Sequence, residues 1–297
     1  MSVRGGLVVL VEPFGKGGGV DVIARLLADP FAAAVGARVV VDNRPGLGAT
    51  AAPAFVASAP ADGRTLLLNT SAHVYSAALS ERLPYDPIAD FVSVAAVTSQ
   101  AYVLVVNCGT GVCSLLDLAH AGRERPGTLS FASAGVGTGT HVCAAQLNHD
   151  LGIDARHVPA RPEDGIAETI ARVVDGEAEY MVSPIPIAAP LVAAGASLRW
   201  GDRGAAVPAA AARANPCRGR CRCRCRKFRL PHLVRTLGTG RDPAPVVEEL
   251  SAAVTRSLRS PELASRLKEH GAEILRLTRT EFEELVRSEA ARARRLA

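Results

Sequence analysis

The chain has 297 residues, of which 48% are hydrophobic, 21% are charged and 4% are aromatic. These proportions are ordinary for a globular α/β protein, and the length suits one large domain or two lobes. No run of about 18 consecutive apolar residues exists, which excludes a membrane-spanning helix at the level of the sequence.

The net charge of +5 is concentrated in one window of the chain. Between Asp202 and Asp242 there are eleven Arg and Lys residues and no acidic residue, and removing those eleven positive charges turns +5 into −6. The rest of the chain is therefore mildly acidic, so a general basic surface for nucleic acid is excluded. We expect no nucleic-acid partner.

The first residues resemble a signal peptide only superficially. Their apolar run is short, no small-residue cleavage site follows, and a glycine-rich loop comes at once. We interpret this stretch as the first strand of the fold and expect no export signal in the chain as given.

Strands and helices are predicted to alternate from the start of the chain. Short β-branched runs predict strands and wider apolar spacing predicts helices. This order indicates a parallel sheet that is covered on both faces. Strands are predicted at residues 7–11, 38–41, 65–68, 92–97, 102–106, 129–132, 156–158 and 180–182, and helices from 21, at 50–59, at 114–121, from 141, at 163–174 and at 188–194.

The last segment, residues 243–297, is predicted to be helical. Ser260 followed by Pro261 is typical of a helix start, with a capping residue and proline at the first helical position. Thr280 and Glu283 have the spacing of a capping box and predict the start of the final helix.

Three loops stand where a predicted strand gives way to a helix, at residues 17–21, 69–73 and 133–141. A helix N-terminus offers unpaired N–H groups and the positive end of a dipole, and glycines let a ligand approach the backbone. Carboxylate or phosphate suits such a site. Each loop alone is equally well a tight turn, but three in one chain favour binding. Hydroxyl donors are expected from Ser71, Ser133, Thr138 and Thr140.

The sequence contains no complete nucleotide-binding or catalytic motif among those considered next. Gly15-Lys16 is followed by Gly17 rather than by the Ser or Thr of a phosphate-binding loop, and the dinucleotide fingerprint lacks its third glycine. No Gly-x-Ser-x-Gly motif occurs. We interpret His73 and His141 as capping or packing groups, although His141 can also donate a hydrogen bond to a ligand.

Several motifs together resemble the Bug-type solute receptors of tripartite tricarboxylate transporters, from about residue 7 to 198 and again from 243. They are Pro13-Phe14 with Gly17-Gly18-Gly19-Val20-Asp21-Val22-Ile23-Ala24-Arg25; Asp42-Asn43-Arg44-Pro45-Gly46-x-Gly48; Pro60-x-Asp62-Gly63-x-Thr65-Leu66-Leu67; Leu83-Pro84-Tyr85-Asp86-Pro87 with Asp90-Phe91; and Ser133-Ala134-Gly135-x-Gly137-x-x-Thr140-His141. This chain departs from the family at Glu12, at Pro159-Ala160-Arg161-Pro162 and at Ser183.

The resemblance implies an α/β, two-lobed periplasmic binding protein of type II-like (Venus flytrap) form with parallel-sheet lobes. It implies a periplasmic monomer that captures a dicarboxylate, tricarboxylate or amino acid for membrane permease subunits, without catalysis, metal or cofactor. The residues expected to bind ligand are Phe14, Gly17, Gly18, Gly19, Asp21, Thr70, Ser71, Ala72, His73, Ser133, Ala134, Gly135, Gly137, Thr138, Thr140, His141 and Ser183.

Residues 199–242 lack the family pattern. Four cysteines at 217, 221, 223 and 225 alternate with arginines, but their spacing is too close for a zinc ribbon, and aromatic residues for base stacking are nearly absent. In GC-rich codons a one-base shift turns Cys-Arg repeats into alanines, so we interpret the segment as frameshifted rather than as a functional basic arm.

The expected division is lobe 1 from 1–103 and 243–297, lobe 2 from 104–198, and the aberrant segment 199–242. Two other functions stay open at this point. An α/β enzyme acting on small carboxylic acids would show turnover, and a nucleic-acid-binding protein would bind through the Arg/Cys segment with steep salt dependence.

Overall fold

The computed structural model describes residues 3–46, 49–80, 82–112, 114–161, 164–185, 187–188, 191, 198–201 and 231–296. The chain forms two compact units. Unit 1 comprises Met1–Gln100 and His232–Ala297, and unit 2 comprises Ala101–Pro231. Most of the helix predicted at 188–194 and most of the Arg/Cys segment, residues 202–230, lie outside the described residues.

Unit 1 is built on a group of parallel strands, and glycine loops and short turns connect these strands to helices. Its elements in chain order are β1 (Leu7–Glu12), α1 (Gly19–Val35), β2 (Arg38–Asn43), α2 (Ala51–Ala57), β3 (Thr65–Thr70), α3 (Ala72–Ala78), the first part of β4 (Phe91–Asn107), β9 (Pro231–Thr239), α7 (Ala244–Ser257), α8 (Pro261–Glu269), β10 (Ala272–Ile274) and α9 (Arg279–Leu296).

Strand β1 lies at the centre of the parallel part of unit 1. It pairs in parallel with β2 on one side and with β3 on the other, and β9 then pairs antiparallel with β3. Leu10 on β1 packs with Ile23, Leu27 and Phe31 of α1 and with Leu250 of α7 in the buried core. The carboxyl ends of β1 and β3 therefore meet at the same edge of this sheet.

Unit 2 repeats the same strand–helix alternation. Its elements are the second part of β4, a 3₁₀ turn (Cys108–Thr110), α4 (Leu115–Glu124), β5 (Leu129–Ser133), α5 (Gly139–Leu151), β6 (Ala155–Pro159), α6 (Ile166–Val174), β7 (Tyr180–Pro184) and β8 (Leu198–Gly201). Strand β5 pairs in parallel with β6 and with β7, whereas β4 pairs antiparallel with β7 and β8.

Helices cover both faces of the unit 2 sheet. Successive strand residues point to opposite sides of a sheet, so neighbouring residues of one strand contribute to different buried clusters. Phe131 and Tyr180 contribute to one buried cluster, and their neighbours Ala132 and Met181 contribute to the other. The predicted arrangement of a covered sheet with parallel strands is therefore present in unit 2.

Two details of the predicted elements are wrong. The strands predicted at 92–97 and 102–106 are a single strand, β4, because the polar residues Thr98–Gln100 pair with the unpredicted β10. The capping box of the final helix is formed by Thr278 and Glu281, not by Thr280 and Glu283. This register places Phe282 in the core, fully buried.

The units also divide at positions that differ from the expected lobes. Unit 1 resumes at His232, whereas the sequence placed its return at residue 243. The side chains of 234–239 are buried, and Thr236 exchanges hydrogen bonds with the backbone of Ala95. Strand β9, the end of the segment interpreted as aberrant, is therefore part of the unit 1 core.

Candidate functional site

The three predicted loops follow the carboxyl ends of parallel strands. Two of them are in unit 1: the first joins β1 to α1 and the second joins β3 to α3. The third joins β5 to α5 in unit 2.

The first loop, after β1, is a tight glycine turn that ends in a helix N-terminus. Gly17 has a φ of +80°, a conformation that side-chain-bearing residues adopt only at a cost, and Gly18 is the N-cap of α1. The N–H of Gly18 donates to the carbonyl of Gly15 (3.2 Å), and the N–H of Gly17 donates to the Asp21 carboxylate (2.9 Å). Gly19 is the first helical residue, and Phe14 packs on the unit 1 core.

The third loop, after β5, has the same geometry 120 positions further along the chain. Gly137 has a φ of +78°, and Thr138 is the N-cap of α5. The N–H of Thr138 donates to the carbonyl of Gly135 (3.3 Å), and the N–H of Gly137 donates to Nδ1 of His141 (3.2 Å). The two loops are therefore counterparts, with His141 standing where the first loop has Asp21.

Asp21 is the acceptor that organises the first loop. It is buried, with 3% exposure, and it also accepts hydrogen bonds from Arg25 (2.9 Å) and from the side-chain amide of Asn43 (2.9 Å). Burial alone would raise the pKa of Asp21, but the hydrogen bonds from Arg25, Gly17 and Asn43 outweigh it and lower that pKa. Asp21 is therefore an ionised residue whose charge Arg25 balances.

Glu12, at the end of β1, is a second carboxyl beneath the first loop, and sequence reasoning did not place it in the site. It is fully buried and accepts hydrogen bonds from the Phe14 N–H (2.9 Å) and from the amide of Asn43. Burial raises the pKa of Glu12 to about 7, although both hydrogen bonds act in the opposite direction. Its unusual position before Pro13 was the only signal in the sequence.

The second loop, after β3, is fixed by a buried ion pair that the sequence did not predict. The Ser71 hydroxyl donates to Glu289 of α9 (2.7 Å), and Glu289 accepts a second hydrogen bond from Arg235 of β9 (2.7 Å). Arg235 is fully buried and also donates to the carbonyl of Thr70 (3.1 Å). The N–H of Ala72 donates to the Thr70 hydroxyl (3.1 Å). These contacts hold the loop from beneath.

His73, in the second loop, is a packing side chain. Its exposure is 1%, its Nε2 contacts the carbonyl of Pro87 (2.8 Å), and Tyr85 and Phe91 pack against its ring. Burial, with a smaller contribution from the nearby Arg235 charge, lowers the pKa of His73 to about 3. The imidazole is therefore neutral, as a buried packing group should be.

Hydroxyl groups organise the third loop. The Thr138 hydroxyl donates to the carbonyl of Gly135 (2.7 Å), and the Thr140 hydroxyl accepts the N–H of Ala134 (2.9 Å). The Ser133 hydroxyl lies 2.7 Å from Nε2 of His157 and accepts the N–H of Gly135 (3.1 Å). These hydroxyls have partners inside the loop, which is a positioning role.

Two imidazoles stack behind the third loop. The rings of His141 and His157 are 4.3 Å apart, and His157 stacks on Phe131 at 4.9 Å. Burial, with a smaller effect from His141, lowers the pKa of His157 to about 4, and burial lowers the pKa of His141 as well. Because Nδ1 of His141 accepts a hydrogen bond from Gly137, the ring proton of neutral His141 is on Nε2.

Ser183, on β7 of unit 2, is fully buried, and its hydroxyl lies 3.4 Å from the carbonyl of Pro184. Among the described residues, no group of three or more metal-ligating side chains occurs and no helix is long and apolar enough to cross a membrane. Cys108 is disulfide-bonded, and Cys143 is buried.

The sequence matches a known family over residues 23–297, described as the tripartite tricarboxylate transporter family receptor. This chain belongs to that receptor family. Its similarity to the Bug-type receptors, predicted from the motifs, is thereby confirmed, and Bug-named proteins are among its relatives.

Curated relatives of this receptor come from several bacteria. A protein encoded in the tcbD–tcbE intergenic region of a Pseudomonas strain is 37% identical over 60% of this chain and 52% of its own length. BugT of Bordetella pertussis is 31% identical over 59% of this chain and 54% of its own length. The chain thus spans about half the length of the curated relatives it matches first.

Solved structures confirm the predicted periplasmic binding protein fold of the receptor. MatC from Rhodopseudomonas palustris with bound malate is 27% identical, with a TM-score of 0.77 over 98% of this chain and 99% of that one. An R. palustris protein with adipate is 25% identical, with a TM-score of 0.78 over 99% of this chain and 96% of that one. The family and these relatives are binding proteins.

Proposed function

We propose that this chain is a solute receptor that captures a small carboxylate, such as a dicarboxylate, for a tripartite tricarboxylate-type transporter. The observation that carries the proposal is the pair of equivalent glycine loops, each ending at a helix N-terminus. The solved relatives that hold malate and adipate support the same class of ligand.

In this proposal each of the two loops, within its own unit, offers backbone donors to a carboxylate group. The first turns of α1 and α5 supply N–H groups that a helix cannot pair internally, and the helix dipole favours a negative charge there. The hydroxyls of Ser71 and Thr138 already donate to protein acceptors, so we assign them to positioning the loops. Nε2–H of His141 is the side-chain donor that we assign to the ligand.

We propose binding without chemistry. The contact between Ser133 and His157 resembles a nucleophile and its base, yet Ser133 is fully buried. A histidine whose pKa lies near 4 is a weak base at neutral pH. We therefore assign this pair to the architecture of the loop.

We propose the periplasm as the location, a membrane permease as the partner and a monomer as the state of the receptor. Family membership supports the location and the partner. The disulfide at Cys108 supports an oxidising compartment, because disulfides persist outside the reducing cytosol.

The test is a thermal-shift screen of the purified chain against dicarboxylates, tricarboxylates and amino acids, followed by calorimetry. A ligand at a hundred times its Kd should stabilise the folded state by about 2.7 kcal/mol. If no acid raises the Tm, the proposal is wrong. Turnover of an acid would instead support an α/β enzyme acting on small carboxylic acids. Salt-sensitive nucleic-acid binding that is lost on deletion of residues 217–229 would support a nucleic-acid-binding protein.

A pair of variants tests the assigned donor. His141→Ala should raise the Kd by about tenfold, equivalent to about 1.4 kcal/mol, through loss of a hydrogen bond to a charged group. His149→Ala is the matched control, because His149 is exposed in the last turn of the same helix. Equal affinities for the two variants would remove His141 from the site.

A further inference from the structure

Glu12 is the residue in which the first loop differs most from its counterpart in unit 2. The position 120 residues further along, Ala132, is also fully buried but carries no polar group. Glu12 instead brings a carboxyl directly beneath the loop, bound to the Phe14 N–H on one oxygen and to the Asn43 amide on the other. The same Asn43 nitrogen also donates to Asp21 (2.9 Å).

We infer that Glu12 determines the charge of the ligand group that the first loop accepts: a carboxylate binds there only when Glu12 is protonated. This inference rests on the proposed function, because it concerns the same carboxylate and the same loop. Capture of a dicarboxylate is then accompanied by uptake of one proton, and the pH of the compartment sets the affinity.

The charges around Glu12 explain why. The charged groups that face it are Asp21 and Arg25, both on α1. Strand β2 contributes the neutral Asn43, and the charged residues on either side of it, Asp42 and Arg44, form an ion pair with each other (2.7 Å). Strand β3 pairs with β1 through uncharged Thr65, Leu66 and Leu67. Helix α2 has no charged residue. Arg25 is 2.9 Å from Asp21 and balances that charge, and Lys16 in the loop is exposed. Among the described residues no ion pair balances an ionised Glu12, which would be a buried negative charge beneath the loop.

A buried negative charge without an ion-pair partner opposes the binding of an anion. Two like charges a few ångströms apart beneath a partly dehydrated loop repel each other, whereas protonation of Glu12 removes the repulsion. Burial raises the pKa of Glu12 to about 7, so the exchange between the two forms falls near neutral pH. The third loop needs no such proton, because its acceptor at the equivalent position is the neutral His141.

The experiment is calorimetry with adipate or malate at pH 7, 8 and 9, where the dicarboxylate itself does not titrate. Each titration is done in two buffers with different heats of ionisation, so that the difference gives the protons taken up. We expect uptake of about half a proton at pH 7 and about 0.9 at pH 8, and a Kd that weakens about tenfold from pH 8 to 9.

Glu12→Gln removes the titrating group and should abolish both the proton uptake and the pH dependence of the Kd. Glu179→Gln is the matched control in unit 2: Glu179 likewise accepts a backbone N–H, from Ser130 (2.6 Å), and a hydroxyl, from the same residue (2.5 Å). It lies near the amino end of β5, away from the glycine loop, and its variant should behave like the wild type.

The outcomes separate the inference from the proposed function. Dicarboxylate binding without proton uptake, or uptake that persists in Glu12→Gln, overturns the inference and leaves the receptor function standing. Absence of any dicarboxylate binding at all three pH values overturns both. If Glu12→Gln does not fold, the wild-type comparison in two buffers still decides.

Discussion

The two glycine loops share one backbone conformation but differ in the charged and polar side chains that hold them. In unit 1 the loop between β1 and α1 is held by carboxylates, Glu12 and Asp21, whereas in unit 2 the loop between β5 and α5 is held by hydroxyls and a neutral imidazole, His141. The N-caps Gly18 and Thr138 have nearly the same φ and ψ, at −68° and 164° against −68° and 161°.

This comparison teaches that the turn and the charge are specified separately. Glycines at 17 and 137 fix the path of the chain, because both adopt a left-handed φ. The residue at the third helical position then accepts the same N–H, whether it is Asp21 or His141. The acceptor beneath each loop can therefore be charged or neutral without a change of fold.

The largest effect is expected from breaking the buried ion pair of unit 1. The Arg235 side chain is 0% exposed, so the ion pair with Glu289 is buried. Arg235→Met leaves the Glu289 carboxylate without its cation and should destabilise the protein by about 3–5 kcal/mol. The double variant Arg235→Met with Glu289→Met should recover most of that loss. Denaturant unfolding measures both.

Ser133→Ala provides the contrast in unit 2, where the described contacts of the loop between β5 and α5 are hydrogen bonds between neutral groups. Loss of the neutral contact to His157 should cost about 1 kcal/mol. An Arg235→Met variant no less stable than Ser133→Ala would show that charge does not separate the two units.

The next effect is the pH dependence of stability that Glu12 confers on unit 1. The folded pKa of about 7 lies above the unfolded value of 4.5, so the folded state holds a proton that the unfolded state has lost between these values. The contribution of Glu12 to stability is therefore largest at low pH and falls as pH rises through 7, by about 3 kcal/mol in total. The difference in unfolding free energy between wild type and Glu12→Gln should fall by that amount from pH 4.5 to 8.

His157 should drive unit 2 in the opposite direction. Its folded pKa of about 4 lies below the unfolded value of 6.5, so its contribution is fully present above pH 6.5 and is lost as pH falls towards 4. Because the side chain is only partly buried, we expect about 2 kcal/mol rather than the full value. Acid titration of His157→Gln against wild type measures it, and identical acid profiles would contradict the assignment.

The sequence was sufficient to predict most of the strands, the three strand–helix loops and the fold class. Glycine runs and β-branched segments are local signals, and the first loop needs only residues 13–21 to be recognised. Ser260 was confirmed as an N-cap, since its hydroxyl accepts the N–H of Leu263 (3.3 Å). Local capping chemistry can be read directly from such short motifs.

The sequence was insufficient where contacts join distant parts of the chain. Glu289 bonds Ser71 from 218 positions away, and no local pattern pairs them. His157 reaches Ser133 only because β5 and β6 are parallel neighbours. Glu12 is unusual at its position in the sequence, but its role depends on burial and on its contact with Asn43, which only the fold provides.

The smallest effect sharpens the claim that both loops share one turn. Gly17→Ala and Gly137→Ala should each cost about 1–2 kcal/mol, because each forces a side chain into a left-handed φ. At Gly17 an added Cβ would meet no atom within 4 Å, so the cost there is conformational rather than steric. Gly15→Ala, equally open but without a positive φ, should change stability by less than about 0.5 kcal/mol. If Gly17→Ala proved as harmless as Gly15→Ala while Gly137→Ala did not, the two turns would not be equivalent, and a difference in charge alone could no longer account for their different chemistry.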